Sequence, residues 1–341
     1  MSPLHQVSTR PNKVAIVILN WNGLKDSLEC LDNLKQFAKG EHSIIFVDNG
    51  SSDRSAEAIF DWMARESGHP GQILESRLNA AGRKIRVHVF STTPAMALIK
   101  LDENLGAAVG RNLGADWALR DEATKFLFFL DNDARIGPET IPVCLVTARK
   151  ADAALVGCLI KNNDETVQFS GLTFIRNMFY VDILSRRSLF KASEPFWDID
   201  EASGAGMLVG REAAEALRAR RGNLFDPKFF FYAEDQDFCL QVKRLGHRLV
   251  LARNAVVHHR ISGGGLAGPL ACYYSCRNRL FLANEFLPLG YRILFHAFYP
   301  ASRLVRALVA IIKGDYRLAS AHVIGLYDGY RGKTGRKASS I

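Results

Sequence analysis

A short, uninterrupted apolar run near the start of the chain constrains the fold more than any other feature. Val14–Leu19 is rich in β-branched residues and has no polar interruption, which is typical of a strand buried on both faces. Leucines at helical spacing follow between Leu24 and Leu34, and Ser43–Val47 is a second run of the same kind. Strand, helix and strand in this order predict an α/β fold with a mainly parallel sheet flanked by helices.

Further apolar segments continue this alternation. Strands are predicted at Ala97–Leu101, Phe126–Leu130, Ala154–Ile160 and Arg248–His259. The less regular stretch Arg65–Pro94 contains one strand-like segment, Ile85–Phe90, and is interpreted as a surface insertion. From about Ala271 the pattern becomes helical and amphipathic.

The composition excludes a disordered chain, because 48% of the residues are hydrophobic and only 23% are charged. Met1–Arg10 lacks the apolar segment of a signal peptide. The best candidate for a membrane span, Ile293–Ile312, is interrupted by a histidine and two arginines, so no transmembrane helix is predicted. Cys272 and Cys276 are close together but lack the CxxC spacing of a zinc site. All six cysteines are therefore interpreted as reduced thiols of a cytosolic protein.

The net charge of +9 is concentrated at the C-terminal end. Beyond Gly290, nine Lys and Arg residues stand against Asp315 and Asp328, so this part carries +7 of the +9. Such a tail favours an anionic partner, and a membrane surface fits better than nucleic acid, because the basic residues are not interleaved with aromatic ones. An apolar stripe is predicted at Leu294, Phe298, Leu304, Leu308 and Ile311. The helix that carries it either lies on an anionic membrane or packs on the rest of the protein.

Polar residues directly follow three of the predicted strands: Asn20-Trp21-Asn22, Asp48 and Asp131-Asn132-Asp133. In open α/β sheets, ligands bind beyond the carboxyl ends of the strands. Two carboxylates one residue apart at such a position suit Mg²⁺ or Mn²⁺, which prefer oxygen ligands and bridge to phosphates. An Asp-rich turn without a metal explains the same pattern. Asp48 either caps a turn or accepts hydrogen bonds from a nucleobase or ribose.

A glycine-punctuated segment, Asn104–Gly114, is predicted to be a turn that enters a helix, and its glycines allow the backbone to approach a ligand closely. It contains Gly106 and Arg111 but matches neither G-x-G-x-x-G nor a P-loop. A dinucleotide-binding site and a Walker-type ATPase are therefore not supported.

Four aromatic residues and three acids make Phe229–Asp237 an unusual segment. An aromatic wall raises the pKa of a neighbouring carboxyl group, which suits a general base. The acids also suit the first turn of a helix, where they complement the dipole. Further along, His258-His259 ends a strand, and at most one of this pair is expected to be functional, because successive side chains face opposite ways. Gly263–Gly265 is predicted to be a mobile loop that folds over a ligand.

In this order, these segments resemble the family 2 glycosyltransferases, and within them the bacterial rhamnosyltransferase-like branch. The resemblance covers about Val14 to Leu280. It is carried by VAIVILNWNG, VDNGSSD, ENLGAAVGRNLG, FLDNDA, SGAGMLVGREA, FDPKFFFYAEDQDFCLQVKRLGHR, AVVHHRISGG and YYSCRNRL. It implies a Rossmann-like GT-A domain at residues 12–270. The nucleotide-sugar-binding half would be 12–135, the acceptor-binding half 136–270, and a helical, basic extension would follow at 271–341.

The resemblance also implies roles for individual residues. Asp131, Asp133 and His259 match the ligands of Mg²⁺ or Mn²⁺, and His259 aligns better than His258. Asp235 matches the catalytic base, with Glu234 beside it as a second acid. The donor is expected to contact Asn20, Asn22, Asp48, Asn104, Gly106, Arg111, Asn132, Arg277 and Asn278.

The implied activity is an inverting transfer of a sugar from a nucleotide diphosphate donor, dTDP-rhamnose or a UDP-hexose. The expected acceptor is a hydroxyl of a glycan or polyprenol-linked glycan in cell-surface polysaccharide synthesis. The expected location is the cytoplasm, including the inner face of the cell membrane. A catalytically silent scaffold or nucleotide-sugar sensor is the alternative, and the retained Asp131, Asp133, Asp235 and His259 argue against it.

Overall fold

A computed structural model describes residues 13–37, 42–76, 85–90, 95–174, 178, 193–260 and 268–337. The predicted loop at Gly263–Gly265 lies outside these residues. The strands are β1 (Lys13–Asn20), β2 (Ser43–Asp48), β3 (Gln72–Ser76), β4 (Ile85–Phe90), β5 (Ala95–Lys100), β6 (Thr124–Asp131), β7 (Ala134–Ile136), β8 (Leu155–Lys161), β9 (Val167–Phe169), β10 (Phe196–Asp198), β11 (Gly206–Gly210) and β12 (Leu249–His259). The helices are α1 (Leu24–Phe37), α2 (Ser55–Ser67), α3 (Ala107–Ala118), α4 (Thr140–Ala151), α5 (Arg211–Arg221), α6 (Glu234–Arg244), α7 (Pro269–Phe286), α8 (Leu289–Ile312) and α9 (Tyr316–Tyr330).

One sheet runs through the α/β part of the molecule, in the order β10-β12-β8-β11-β6-β1-β2-β5-β4-β3. The four strands β6, β1, β2 and β5 are parallel neighbours, as the alternation of strands and helices predicts. On one side β11 pairs antiparallel with both β6 and β8, and on the other β4 pairs antiparallel with β5. The α/β fold is confirmed, but the sheet is mixed rather than mainly parallel.

The sheet is covered on both faces because its central strands are apolar on both sides. In β1, Ala15 and Val17 join one core cluster, whereas Val14, Ile16 and Ile18 join the other. This alternation follows from the two-residue period of a strand. Helices α3, α5 and α6 pack on the first face, and α1, α2 and α4 on the second. The continuous apolar run at the start of the chain is therefore the middle of a three-layer sandwich.

The predicted insertion forms an antiparallel hairpin at the edge of the sheet. The strand-like segment Ile85–Phe90 is β4, and β3 pairs along it in register. Strand β3 escaped prediction because it is an edge strand with little burial, and Ile73 remains 59% exposed. The insertion thus widens the sheet at the end farthest from β10.

The C-terminal part consists of three helices, and α9 packs closely along α7. A Cβ atom added at Gly325 would lie 2.8 Å from both the Cys276 Cβ and the Tyr273 carbonyl oxygen, so only glycine permits this approach. Among the described residues, α8 is the one helix that is long and apolar enough to cross a membrane by length and composition. Its mean hydropathy is 1.2, and only 22% of the apolar window is buried. The predicted stripe lies on its exposed face.

Candidate active site at the carboxyl edge of the sheet

The carboxyl ends of β1, β2 and β6 bring the strand-end polar residues together. Asn20 is in register with Asp48 of β2, and the preceding Leu19 is in register with Asp131 of β6. Because these strands are parallel, all three polar side chains arrive at one edge of the sheet. The register alone therefore assembles the segments that the sequence singles out.

The Asn20 side chain connects β1 to β2, to the turn after β2 and to Asn132 by hydrogen bonds. Its Nδ2 donates to Asp48 Oδ1 at 2.7 Å and to the hydroxyl oxygens of the following turn, while its Oδ1 accepts from Asn132 Nδ2 at 3.0 Å. Asp48 also accepts from the Ser51 backbone N–H. Asn20 and Asp48 have no exposed surface. The structure therefore places these two predicted donor contacts beneath the surface, where they order the loops.

Asn22 lies above this buried pair, at the surface. Its backbone is left-handed, with φ of 54°, and its Oδ1 accepts from the Ser52 N–H at 2.7 Å. The neighbouring Trp21 is 54% exposed. A large exposed aromatic ring beside an ordered polar turn forms an apolar platform next to hydrogen-bonding groups.

Asn49 joins the glycine-rich segment to the same edge. Its Nδ2 donates to Asn104 Oδ1 at 3.0 Å, and its Oδ1 accepts from the Leu105 N–H at 3.0 Å. Gly106, at φ of 92°, lies against the Phe230 carbonyl oxygen, which would be only 2.6 Å from an added Cβ. This glycine is thus required for close contact with the aromatic segment, and its side-chain position is closed to a ligand.

Asp131, Asp133 and His259 form a cluster whose ligand atoms all lie within 4.8 Å of one another. His259 Nε2 is 3.0 Å from Asp133 Oδ1 and 4.0 Å from Asp131 Oδ2. On the other side of the ring, Nδ1 is 2.7 Å from Gln168 Oε1. Gln168 Nε2 donates to Asn162 Oδ1, so the amide oxygen faces the imidazole and directs its proton to Nδ1. Nε2 is then the nitrogen that faces the carboxylates: it donates to Asp133 when the ring is protonated, and in the neutral ring its lone pair is available to a metal.

The electrostatics of this cluster favour a cation. Burial lowers the pKa of His259, but the hydrogen bond to Asp133 and the negative charges of Asp131 and Asp133 outweigh it, so the net pKa is raised. His258 faces the other way and pairs with Glu165 at 2.7 Å. Two carboxylates with an oriented imidazole are a donor set that suits Mg²⁺ or Mn²⁺.

Arg111 links the carboxylate cluster to the acidic segment. Its guanidinium donates from Nη2 to Asp131 Oδ1 at 2.9 Å and from Nη1 to Glu234 Oε1 at 2.8 Å. Both Arg111 and Glu234 are buried. Burial raises the pKa of Glu234 to about 7 although Arg111 opposes this, and the negative charges of Asp235 and Asp131 raise it further. A raised pKa in this acidic segment, as the sequence analysis expects, is therefore found at the buried Glu234.

Asp235 is more accessible than Glu234 and is held by backbone groups. Its Oδ2 accepts from the Gly204 N–H at 3.1 Å, and its Oδ1 from the Gln236 N–H at 2.8 Å. The side chain is half-buried at the first turn of α6. A carboxylate that is fixed by backbone N–H groups and keeps exposed surface is well placed to accept a proton.

The loop before α6 has an unusual backbone, with positive φ at Phe230 (57°), Tyr232 (63°) and Ala233 (71°). Such conformations are unfavourable for non-glycine residues and need support from their surroundings. Arg277 and Asn278 of α7 supply it. Arg277 Nη2 donates to the Phe229 carbonyl at 3.0 Å, and Asn278 Nδ2 reaches the carbonyls of Phe229 and Tyr232 at 2.9 and 2.8 Å.

The placement of Arg277 and Asn278 differs from their predicted contact with the donor. Both side chains are at most 1% exposed, and backbone carbonyls occupy their donors. A ligand would have to displace the 228–232 loop to reach them. Their part in the site is therefore to hold the loop that presents Glu234 and Asp235.

Gly204 and Gln168 are two contributors that the sequence analysis did not nominate. A Cβ at Gly204 would lie 2.5 Å from Arg111 Nη2, so this glycine makes room for the guanidinium while its N–H holds Asp235. Gly204 could have been nominated from the sequence, because it lies within the segment SGAGMLVGREA that carries the family resemblance. Gln168 gave no signal, because a lone glutamine in a short strand is common on any surface.

Comparison with known proteins matches the chain to glycosyltransferases. The family model described as "Glycosyl transferase family 2" matches residues 15–218. The chain is 23% identical over 250 residues to the dTDP-rhamnosyl transferase RfbF of Shigella flexneri, covering 70% of this chain and 79% of that protein. It is also 24% identical over 169 residues to a teichoic acid poly(glycerol phosphate) polymerase of Staphylococcus epidermidis. That match spans 50% of this chain but only 19% of the polymerase.

Solved structures share the fold. The mannosyltransferase PcManGT of Pyrobaculum calidifontis, in complex with GDP-Man and Mn²⁺, superposes with a TM-score of 0.54 at 15% identity, over 95% of this chain and 88% of that one. S. aureus TarS 1–349, in complex with UDP-GlcNAc, gives 0.54 at 15% identity, over 94% and 81%. The mixed sheet and flanking helices are thus those of GT-A glycosyltransferases.

Proposed function

The chain belongs to glycosyl transferase family 2, and from this premise we propose that it is a metal-dependent inverting transferase of cell-surface glycan synthesis. It takes a sugar from a nucleotide diphosphate donor and joins it to a hydroxyl group of a glycan or polyprenol-linked glycan. The observation that carries the proposal is Arg111, whose single guanidinium ties the Asp131 cluster to the acidic start of α6. A metal-binding group and a proton-accepting group are thereby held at one edge of the sheet.

Asp131, Asp133 and His259 would hold Mg²⁺ or Mn²⁺, since their ligand atoms converge and the imidazole is oriented by Gln168. When bound, the cation neutralises negative charge on the departing nucleoside diphosphate. Arg111 keeps one oxygen of Asp131 occupied and leaves the other on the side of His259. The protein therefore presents a fixed set of ligands, which lowers the cost of ordering the site.

Asp235 accepts the proton of the attacking acceptor hydroxyl. Its carboxylate is aligned by the N–H groups of Gly204 and Gln236, and it keeps exposed surface. A single base with no enzymic nucleophile gives one displacement at the anomeric carbon, and hence inversion. Glu234 is buried against Arg111, so we assign it to positioning rather than to proton transfer.

The donor nucleotide lies over the turns after β1 and β2 and beside the glycine-rich segment. Trp21 offers a stacking surface, while Asn22 and Asn104 are polar groups that keep some exposure there. dTDP-rhamnose is the first donor to test, because a relative spanning most of the chain is named as a dTDP-rhamnosyl transferase. UDP-hexoses are the second, because few pocket contacts decide between nucleotide sugars.

We predict a metal-dependent gain in thermal stability with one class of donor. The melting temperature of the purified chain is measured with UDP-, dTDP- and GDP-sugars, with and without Mn²⁺. A ligand that binds only the folded protein raises the melting temperature. The shift should appear only with metal, and Asp133→Ala should abolish it.

Asp61→Ala is the matched control, since Asp61 is an exposed aspartate on α2, away from the strand ends. It should keep the full shift. A nucleotide shift that survives Asp133→Ala would contradict the metal assignment. The absence of a shift with every donor and metal would overturn the donor-binding proposal itself.

We further propose that α8 rests on an anionic membrane surface, on the cytoplasmic side, near a polyprenol-linked acceptor. Phe298 and Leu308 belong to its exposed apolar face and are 67% and 56% exposed. Exposed basic residues follow the helix, among them Lys313 and Arg317. An exposed apolar face beside basic residues is the pattern of an interfacial helix.

Replacing both Phe298 and Leu308 with Asp should abolish co-sedimentation with vesicles that contain phosphatidylglycerol. Wild type should bind these vesicles more strongly than phosphatidylcholine vesicles, and less at high salt. Ile73→Asp is the matched control and should bind like wild type, because Ile73 is comparably exposed but lies on the edge strand β3 and not on α8. If wild type instead forms a dimer that the double variant disrupts, and ignores vesicles, the face is a protein interface and the proposal is wrong.

A further inference from the structure

A second cluster of metal-type side chains lies between α7 and α9, away from the sheet edge. Cys272 and Cys276 are one turn apart on α7, and His322 of α9 faces both. The two sulfur atoms are 3.9 Å apart, and His322 Nδ1 is 3.2 Å from Cys272 Sγ and 3.4 Å from Cys276 Sγ. Among the described residues, this cluster and the Asp131 cluster are the two groups whose ligand atoms converge to this degree.

These distances are close to the edges of a tetrahedron centred on a zinc ion. With Zn–S of about 2.3 Å and Zn–N of about 2.0–2.1 Å, a tetrahedral ion separates two sulfurs by about 3.8 Å and a sulfur from a nitrogen by about 3.5 Å. We propose that Cys272, Cys276 and His322 bind Zn²⁺ as a Cys₂His site. Three protein ligands leave a fourth coordination position, which a water molecule takes in zinc sites of this type.

The close packing of α7 and α9 explains why the ligands meet. Gly325, three residues after His322, allows the backbones to approach, because an added Cβ would lie 2.8 Å from the Cys276 Cβ. Cys276 and His322 are buried, at 1% and 6% exposure, and Cys272 is half-buried. A metal ion would give all three side chains a common partner, because thiolates and a neutral imidazole are the forms that bind it.

The chemistry of the ligands separates this site from the one at the sheet edge. Thiolate and imidazole select Zn²⁺, whereas carboxylates select Mg²⁺ or Mn²⁺. Cys144 and Cys158 show what a thiol pair looks like without such a site. Their sulfur atoms are 3.6 Å apart in the core, and neither belongs to a converging group of three ligands within the described part of the chain.

A zinc ion here would hold α9 against α7, next to the two side chains of α7 that support the 228–232 loop. Arg277 and Asn278 directly follow Cys276 and donate to the carbonyls of Lys228, Phe229, Phe231 and Tyr232. The inferred role is therefore structural: the metal would hold α7 in place, and α7 in turn supports the 228–232 loop. This inference is independent of the proposed transferase activity, since it concerns binding of the metal alone.

The test uses the full chain, stripped with chelator under reducing conditions and titrated with Co²⁺ as the probe. Thiolate-to-cobalt charge-transfer absorption should appear, saturate at one equivalent and be displaced by Zn²⁺. Cys276→Ser and His322→Gln should each lose the charge-transfer band or its stoichiometric binding. Zn²⁺ should raise the melting temperature of wild type but not of His322→Gln.

Two controls make the result specific. Cys144→Ser removes a thiol that also has a sulfur neighbour, and it should keep the absorption. Asp133→Ala should keep it as well, because oxygen ligands give no thiolate band. If Cys276→Ser fails to fold, Cys272→Ser and His322→Gln decide the matter. Absence of thiolate absorption in wild type, or its loss in Cys144→Ser but not in His322→Gln, would overturn the inference.

Discussion

Asp235→Asn should lower turnover by about 10²–10⁴-fold, the range that a general base contributes, while donor binding stays intact. The amide still accepts a hydrogen bond from the Gly204 N–H, so the start of α6 should keep its shape. It no longer accepts the proton of the acceptor hydroxyl. The measurement is release of nucleoside diphosphate with acceptor, beside the metal-dependent shift in melting temperature with donor.

Glu212→Gln is the matched control, because Glu212 is an acid in the first turn of α5 and not of the site. It should change neither quantity. If Asp235→Asn lost the donor-dependent shift together with turnover, Asp235 would be a binding residue and not the base. If wild type bound the donor but turned nothing over with any acceptor, a nucleotide-sugar sensor would be the better description.

The second large effect concerns stability. Arg111→Met should lower the free energy of unfolding by about 3–5 kcal/mol, the cost of leaving a buried charge without its partner. Arg111 is enclosed and pairs with Asp131 and Glu234 at 2.9 and 2.8 Å. Removal leaves Glu234 buried, with one oxygen already without a hydrogen-bond partner. Urea unfolding, followed by circular dichroism, measures the loss.

The double variant Arg111→Met/Glu234→Gln should recover part of that stability, because a neutral amide is less costly to bury than an unpaired carboxylate. A double-mutant cycle isolates this coupling. Arg218→Met is the matched control: Arg218 also pairs with an aspartate, Asp116, but at 3.5 Å and with much of its side chain exposed. Additive losses in the cycle would show that Arg111 and Glu234 do not act as a unit.

Features that depend on local sequence patterns could be predicted, whereas features that depend on contacts between distant parts of the chain could not. The strand ends were predictable because the apolar runs give the strands and parallel strands end at a common edge, which brings Asn20 and Asp131 together. The grouping of Asp131, Asp133 and His259 was expected from the resemblance to family 2 glycosyltransferases and not from a local pattern, since His259 lies 128 positions after Asp131. The antiparallel pairings of β11 were missed because sheet order depends on contacts across the whole chain.

The buried charges were the hardest part to predict. Arg111 and Glu234 are 123 positions apart, and Arg277 lies in a helix whose pattern does not distinguish surface from core. An arginine in such a helix suggests a ligand contact, whereas here its burial against carbonyl groups makes it a support. Likewise, the spacing of Cys272 and Cys276 excluded a zinc site only as long as His322, on another helix, was not known to face them.

The hydrogen bonds of Arg277 reach beyond the 228–232 loop, and this limits which parts of the protein can be exchanged with those of a relative. Arg277 Nη1 donates to the Gly335 carbonyl at 2.7 Å, and the Gly335 N–H donates to the Lys228 carbonyl at 2.9 Å. The loop, α7 and the segment after α9 thus share one network. A chimera that joined the α/β part of one relative to the helices of another would separate partners that depend on each other. Exchange of acceptor specificity between relatives is therefore better sought in surface loops than by swapping the helical extension as a module.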